Sequence, residues 1–136
     1  MNTTNCPFCN PLPELICREY SHCRLIINQQ QTSTPSFMVV PKRHVAALKD
    51  LTAEELEEFI NVWHTSYVEL MIKFNSNIGN MLLNEGSVAG QTVPHLHAHI
   101  FIREGEHEGE IVNMARPQRT AISPERISEI KSIIGI

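Results

Sequence analysis

The sequence predicts a single α+β domain: an antiparallel sheet of about five strands, one long helix and a second helix at the C-terminus. Three observations predict it. Short apolar runs broken by turn residues fill the chain up to Pro41, helical periodicity opens at Thr52, and further strand-like runs lie between Met81 and Arg103. With 136 residues, of which 42% are hydrophobic, one domain can bury a core without cross-links.

Pro7, Asn10, Pro11 and Pro13 punctuate the N-terminal segment, so Cys6-Pro7-Phe8-Cys9 reads as part of a loop. Two β-type runs follow, Glu14 to Glu19 and His22 to Asn28. The polar segment Gln29 to Pro35 then leads to Phe37-Met38-Val39-Val40, closed by Pro41. Three antiparallel strands are expected here. Thr52-Ala53-Glu54-Glu55 is a capping box, and Leu56, Phe59, Ile60, Trp63, Tyr67, Leu70, Met71 and Phe74 recur behind it at helical spacing. This predicts one amphipathic helix ending near Asn75 to Gly79. His64, beside Trp63, reads as a surface histidine.

Met81 to Asn84 and His95 to Arg103 read as two more strands, joined by the loop Glu85 to Thr92 with Gly86 and Gly90. The stretch from Gly105 to Thr120 is polar and irregular and reads as a solvated loop; Arg116 and Arg119 give it an alternative role over a second phosphate. Ser123-Pro124-Glu125 opens a terminal helix, with Ser as N-cap and Pro at its first position. Ile127, Ile130, Ile133 and Ile134 follow on one side.

Composition narrows the partners. Fifteen acidic against 11 basic residues give a net charge of −4, with no basic run to draw a polyanion, so no nucleic-acid partner is expected. The N-terminus lacks the features of a signal peptide, and no apolar run approaches the roughly 20 residues of a membrane span. A cytoplasmic protein is expected, with no membrane partner. There, four cysteines are thiols or metal ligands rather than a disulfide framework. Cys17 and Cys23, inside strand-like runs, read as small buried hydrophobes.

The chemistry concentrates in His95-Leu96-His97-Ala98-His99. In a strand these three histidines share one face, spaced roughly 6.5 to 7 Å apart, while Leu96, Ala98 and Ile100 face the core. A core strand does not normally give a whole face to histidine. Near pH 7 a neutral imidazole can act as nucleophile or acid.

These residues resemble a known family. The run from Asn84 to Phe101, with Gly90-Gln91-Thr92-Val93 ahead of His95-Leu96-His97-Ala98-His99-Ile100-Phe101, matches the signature of the histidine-triad (HIT) proteins. Phe37-Met38-Val39-Val40-Pro41-Lys42-Arg43-His44 is similar to that family's Val-Ile-Pro-Lys-x-His strand end. The resemblance implies a HIT-like fold and a hydrolase or transferase acting on a purine nucleotide or dinucleotide. His97 would be the nucleophile, forming a covalent nucleotidyl-histidine, and His99 would donate to a phosphate oxygen. Gln91 and Thr92 would supply loop donors, Asn84 would lie at the phosphate or leaving-group side, and Asn28 would reach the ribose hydroxyls. A homodimer through the long helix and an edge strand is also implied; Trp63 and Tyr67 suit either that contact or the core. The chain departs from the pattern at Ser36, where the Hint and Fhit branches usually carry histidine, and after Arg103.

Cys6-x-x-Cys9 has the spacing of a zinc knuckle and needs two further ligands. The resemblance supplies them as His44 and His95, giving a closed, structural Cys₂His₂ site. The alternative is a pair of free thiols, with His44 hydrogen-bonded to His95. Two other functional readings stand beside the enzyme: a nucleotide-binding dimer with incidental turnover, and a hydrolase whose catalytic metal is held by the triad itself.

Overall fold

The computed structural model describes residues 4–31, 35–103 and 120–136. Five antiparallel strands form one sheet: β1 (Ile16–Glu19), β2 (Cys23–Ile27), β4 (Ser36–Pro41), β5 (Ile78–Leu83) and β6 (Ala98–Arg103). Their spatial order is β1-β2-β4-β6-β5, which leaves β5 at an edge. Two helices accompany them, α1 (Ala53–Lys73) and α2 (Pro124–Ile134). The α+β expectation and the antiparallel sheet are borne out.

Alternation along the strands makes two buried faces. Leu25, Ile27, Phe37, Val39, Ala98 and Ile100 enter one core with Phe59, Val62 and Leu70 of α1 and Ile130 of α2. Ile26, Met38 and Val40 turn the other way and pack with Cys6 and Phe8 of the N-terminal loop. One face therefore carries the helices, and the opposite face carries the loop. At about 25 cal/mol per Å² of apolar surface, burial on both sides holds the central strands rigid.

α1 begins as its capping box requires: Thr52 accepts from the Glu55 N–H, and the Glu55 carboxylate accepts from the Thr52 N–H. It stops at Lys73, short of the expected Asn75 to Gly79, because Asn75 takes a left-handed φ of 50°. The chain then re-enters the sheet at Ile78, earlier than Met81. Gly79 is required there: a Cβ would lie 2.8 Å from the Tyr67 ring and 2.9 Å from the Phe101 carbonyl oxygen. Tyr67 and Trp63 thus pack against the core. The buried stripe of α1 also includes Val62 and Ser66, whereas Leu56 and Ile60 are exposed.

α2 follows its sequence signals, with Ser123 accepting from the Arg126 N–H and Gly135 closing the helix at φ 80°. Ile130 and Ile134 are buried, while Ile133 is exposed. His64 is on the surface, as expected. A second, two-stranded sheet pairs β3 (Gln30–Gln31) with β7 (Thr120–Ala121), elements that polar composition concealed. The segment carrying Arg116 and Arg119 lies outside the described residues.

Candidate active site and metal centre

The histidine strand is shorter than its alternation predicts. β6 starts at Ala98, so only His99 of the three lies in the ladder, opposite Met38 of β4 and Leu82 of β5. Pro94 ahead of the run cannot donate to a ladder. The next amides bond elsewhere: His95 N–H to the Val93 carbonyl at 2.8 Å, and Leu96 N–H to the Val45 carbonyl at 2.6 Å. All three imidazoles are buried. The His97 and His99 rings meet edge-on with centroids 4.9 Å apart, closer than strand spacing alone would give.

Each ring has its own set of partners. His95 Nε2 lies 2.8 Å from the Pro41 carbonyl oxygen, which can only accept, so Nε2 carries the proton and the Nδ1 lone pair faces Cys6, Cys9 and His44. His97 Nδ1 lies 2.8 Å from the His95 carbonyl oxygen, so there the proton is on Nδ1 and Nε2 keeps its lone pair. Burial holds both imidazoles neutral: it lowers His95 to about 4, and it lowers His97 below the usual histidine value.

Cys6, Cys9, His44 and His95 bring four donor atoms within 4.8 Å of one another. Nδ1 of His95 is 3.4 Å from Cys6 Sγ, 3.5 Å from Cys9 Sγ and 3.2 Å from His44 Nδ1, and Cys9 Sγ is 3.1 Å from His44 Nδ1. A tetrahedral shell with metal–nitrogen and metal–sulfur bonds of ~2.05 and ~2.3 Å has edges of about 3.3 to 3.8 Å. Four of the six donor–donor separations, at 3.1 to 3.5 Å, are close to such edges, and two thiols with two imidazoles are ligand types that suit the ion. Partial burial, then the neighbouring Cys6 thiol, push Cys9 up to about 11, so two thiolates here call for a cation between them. Among the described residues this metal-ligating group contains neither His97 nor His99.

A pocket of about 350 Å³ opens on the same side of the sheet, between the N-terminal loop and the strands. It gathers four residues that the sequence singled out: Asn28, Thr92, His97 and His99. Apolar walls come from Phe8, Leu12 and Ile26. Asn84 and Gln91 are not among its lining residues. The Gln91 side chain accepts from the Gly86 N–H at 2.8 Å and donates to the Ala46 carbonyl at 3.0 Å, bracing the loop; the Asn84 amide packs against Gly90.

Three supporting features carried little or no sequence signal. Phe8 sits beside His97 at 4.8 Å and His95 at 5.8 Å between centroids; its position between two cysteines was the available clue. Trp63 Nε1–H donates to the His99 carbonyl at 3.1 Å. The Pro41 carbonyl that fixes the His95 tautomer is a backbone atom, to which residue type gives no guide.

A helix-backed antiparallel sheet, with a histidine pair over a pocket and a Cys₂His₂ cluster beside it, defines a protein of the histidine-triad class. The chain belongs to the HIT domain family, whose model matches residues 12–106. It is 30% identical over 113 residues to a bis(5′-adenosyl)-triphosphatase of Dictyostelium discoideum, covering 79% of this chain and 74% of that one. Over 113 residues it is 31% identical to an adenosine 5′-monophosphoramidase of Saccharomyces cerevisiae, covering 79% and 68%. Among solved structures, a hypothetical histidine triad nucleotide-binding protein of Sulfolobus tokodaii superposes with a TM-score of 0.72 at 26% identity, covering 95% and 89%. Its relatives thus include hydrolases of nucleotides.

Proposed function

We propose that this protein is a nucleotidyl hydrolase or transferase that cleaves a nucleoside phosphoramidate, an adenylate or a dinucleoside polyphosphate at the α-phosphorus through a covalent nucleotidyl-His97. The single observation that carries the reading is the bond from His97 Nδ1–H to the His95 carbonyl, which leaves a neutral imidazole with its Nε2 lone pair available in the pocket. In the first step Nε2 forms a bond to phosphorus, and the bond to the leaving group breaks with its electron pair. In the second, water or another acceptor displaces His97 and the nucleotide is released. His99 donates to a non-bridging oxygen where charge develops, and Thr92 contributes a loop donor beside it. Gln91 braces that loop beside the phosphate, Asn84 serves the leaving-group side, and Asn28 meets the ribose. The match to a dinucleoside triphosphatase and a phosphoramidase supports these substrate classes together.

Cys6, Cys9, His44 and His95 would hold one zinc ion. A closed Cys₂His₂ shell has no open position, so the ion supplies structure: it pins the N-terminal loop, with Phe8, against His97. The whole chain forms one cytoplasmic domain on this reading. No described helix is long and apolar enough to cross a membrane. A homodimer is supported by exposed Leu56, Ile60, Val68 and Ile72 on α1, and by exposed Ile78 and Met81 on edge strand β5. That surface also suits the second reading, a nucleotide-binding regulatory dimer with slow turnover.

Incubation with an adenosine phosphoramidate, followed by intact-mass measurement, tests the proposal. A nucleotide adduct is expected on the wild type and none on His97→Ala. Wild-type turnover by His97→Ala would rule out the covalent route.

A further inference from the structure

Asn28 follows β2 directly, lines the pocket and is 5% exposed. Its side chain is held at both ends. Nδ2 donates to Ser36 Oγ at 3.1 Å, and Oδ1 accepts from the Gln30 backbone N–H at 3.0 Å. The second bond assigns the amide, since an N–H aimed at the side chain requires oxygen there and turns nitrogen toward Ser36. Ser36 is fully buried at the start of β4, and its carbonyl accepts from the Asn28 N–H at 2.9 Å. The same two residues are thus joined through backbone and side chain.

We infer that Ser36 is a positioning residue for sugar recognition: it holds the Asn28 amide in the orientation that meets the ribose diol, and so sets the preference for ribonucleotides over 2′-deoxyribonucleotides. This rests on the reading above that Asn28 contacts the ribose. A vicinal diol needs a donor and an acceptor on defined sides; the Gln30 N–H sets which flip the amide takes, and Ser36 Oγ anchors its nitrogen end, so that the second N–H and the second oxygen lone pair keep those sides. A serine hydroxyl beside the backbone is short enough to act beneath Asn28 without entering the pocket; Ser36 is absent from the pocket lining. At this position residue type therefore governs selectivity through a neighbour.

The test is the affinity of the protein, purified without chelator, for AMP and for 2′-deoxy-AMP, measured by calorimetry on the wild type, Ser36→Ala, Asn28→Ala and the double variant. The ratio of the two affinities within one preparation does not depend on how much of it is folded. The wild type should favour AMP by about tenfold or more, the worth of one well-made hydrogen bond. Ser36→Ala should cut that preference at least about threefold, mainly through weaker AMP binding, and should change nothing further in the Asn28→Ala background. A wild-type ratio in Ser36→Ala, an equal loss for both nucleotides, or an added effect in the double variant would overturn the inference alone. A wild type that binds neither nucleotide at millimolar concentration would overturn the nucleotide reading with it.

Discussion

His97 Nδ1 lies 2.8 Å from the carbonyl oxygen of His95, two residues back along the same chain. The backbone of one histidine therefore fixes the proton on the next. His95 does the same through Pro41 with the opposite nitrogen, so neighbouring imidazoles of one motif present different atoms: Nδ1 toward the cysteines from His95, and Nε2 from His97. The triad is thereby divided in space: His95 belongs to the Cys6–Cys9–His44 cluster, whereas His97 and His99 line the pocket.

His97→Gln should lower turnover of a nucleoside phosphoramidate by at least about 10³-fold, the scale seen when a nucleophile that acts in a concerted unit is removed. Its thermal midpoint should stay within a few degrees of the wild type. Steady-state kinetics beside a thermal melt checks both.

Metal analysis of protein purified without chelator should find about one zinc per chain. Less than about half an equivalent in a fully folded sample would remove the metal centre from the account. Cys9→Ala should abolish the stoichiometry and lower stability by about 3 kcal/mol or more, because the N-terminal loop and Phe8 would lose their anchor. Denaturant titration measures it.

Glu55 is held at about 2, first by its hydrogen bond to Arg43 and then by the Thr52 amide. Its folded value is depressed, so its contribution is complete above the unfolded value near pH ~4.3 and is lost as pH falls toward 2. Glu55→Gln should cost about 1 kcal/mol at neutral pH and flatten stability across that acidic window. Urea melts at several pH values would show an unchanged slope if the carboxylate contributes nothing.

Trp63 is the sole tryptophan, and its indole N–H donates to the His99 carbonyl. Trp63→Phe should destabilise the fold by about 1 to 2 kcal/mol, combining a lost hydrogen bond with lost buried area, and should leave zinc content unchanged. Chemical denaturation with parallel metal analysis tests it. Stability equal to the wild type would show that water replaces the bond.

Much of the architecture was legible because its signals are local. The Thr52–Glu55 capping box and the Ser123-Pro124 start are contacts within one turn, and both form as read. Boundaries set by distant partners were not legible. α1 ends where Asn75 turns left-handed, and β5 enters the sheet where the Tyr67 ring and the Phe101 carbonyl leave room only for glycine at position 79. The β3–β7 pair was hidden because Gln30–Gln31 and Thr120–Ala121 carry no apolar alternation in their sequence.

For the site, the sequence by itself singled out Cys6 and Cys9 by their spacing and the three histidines by their alternation, and the family resemblance added His44, Asn28 and Thr92 as candidates. Only the tertiary structure decided how they divide. Ring orientation and tautomer follow from hydrogen bonds to backbone carbonyls, and one of these, Pro41 on His95, comes from 54 residues away. Every residue but proline has the same backbone groups, so residue identity cannot announce which carbonyl will meet which imidazole. That is settled only when β4 is laid beside β6.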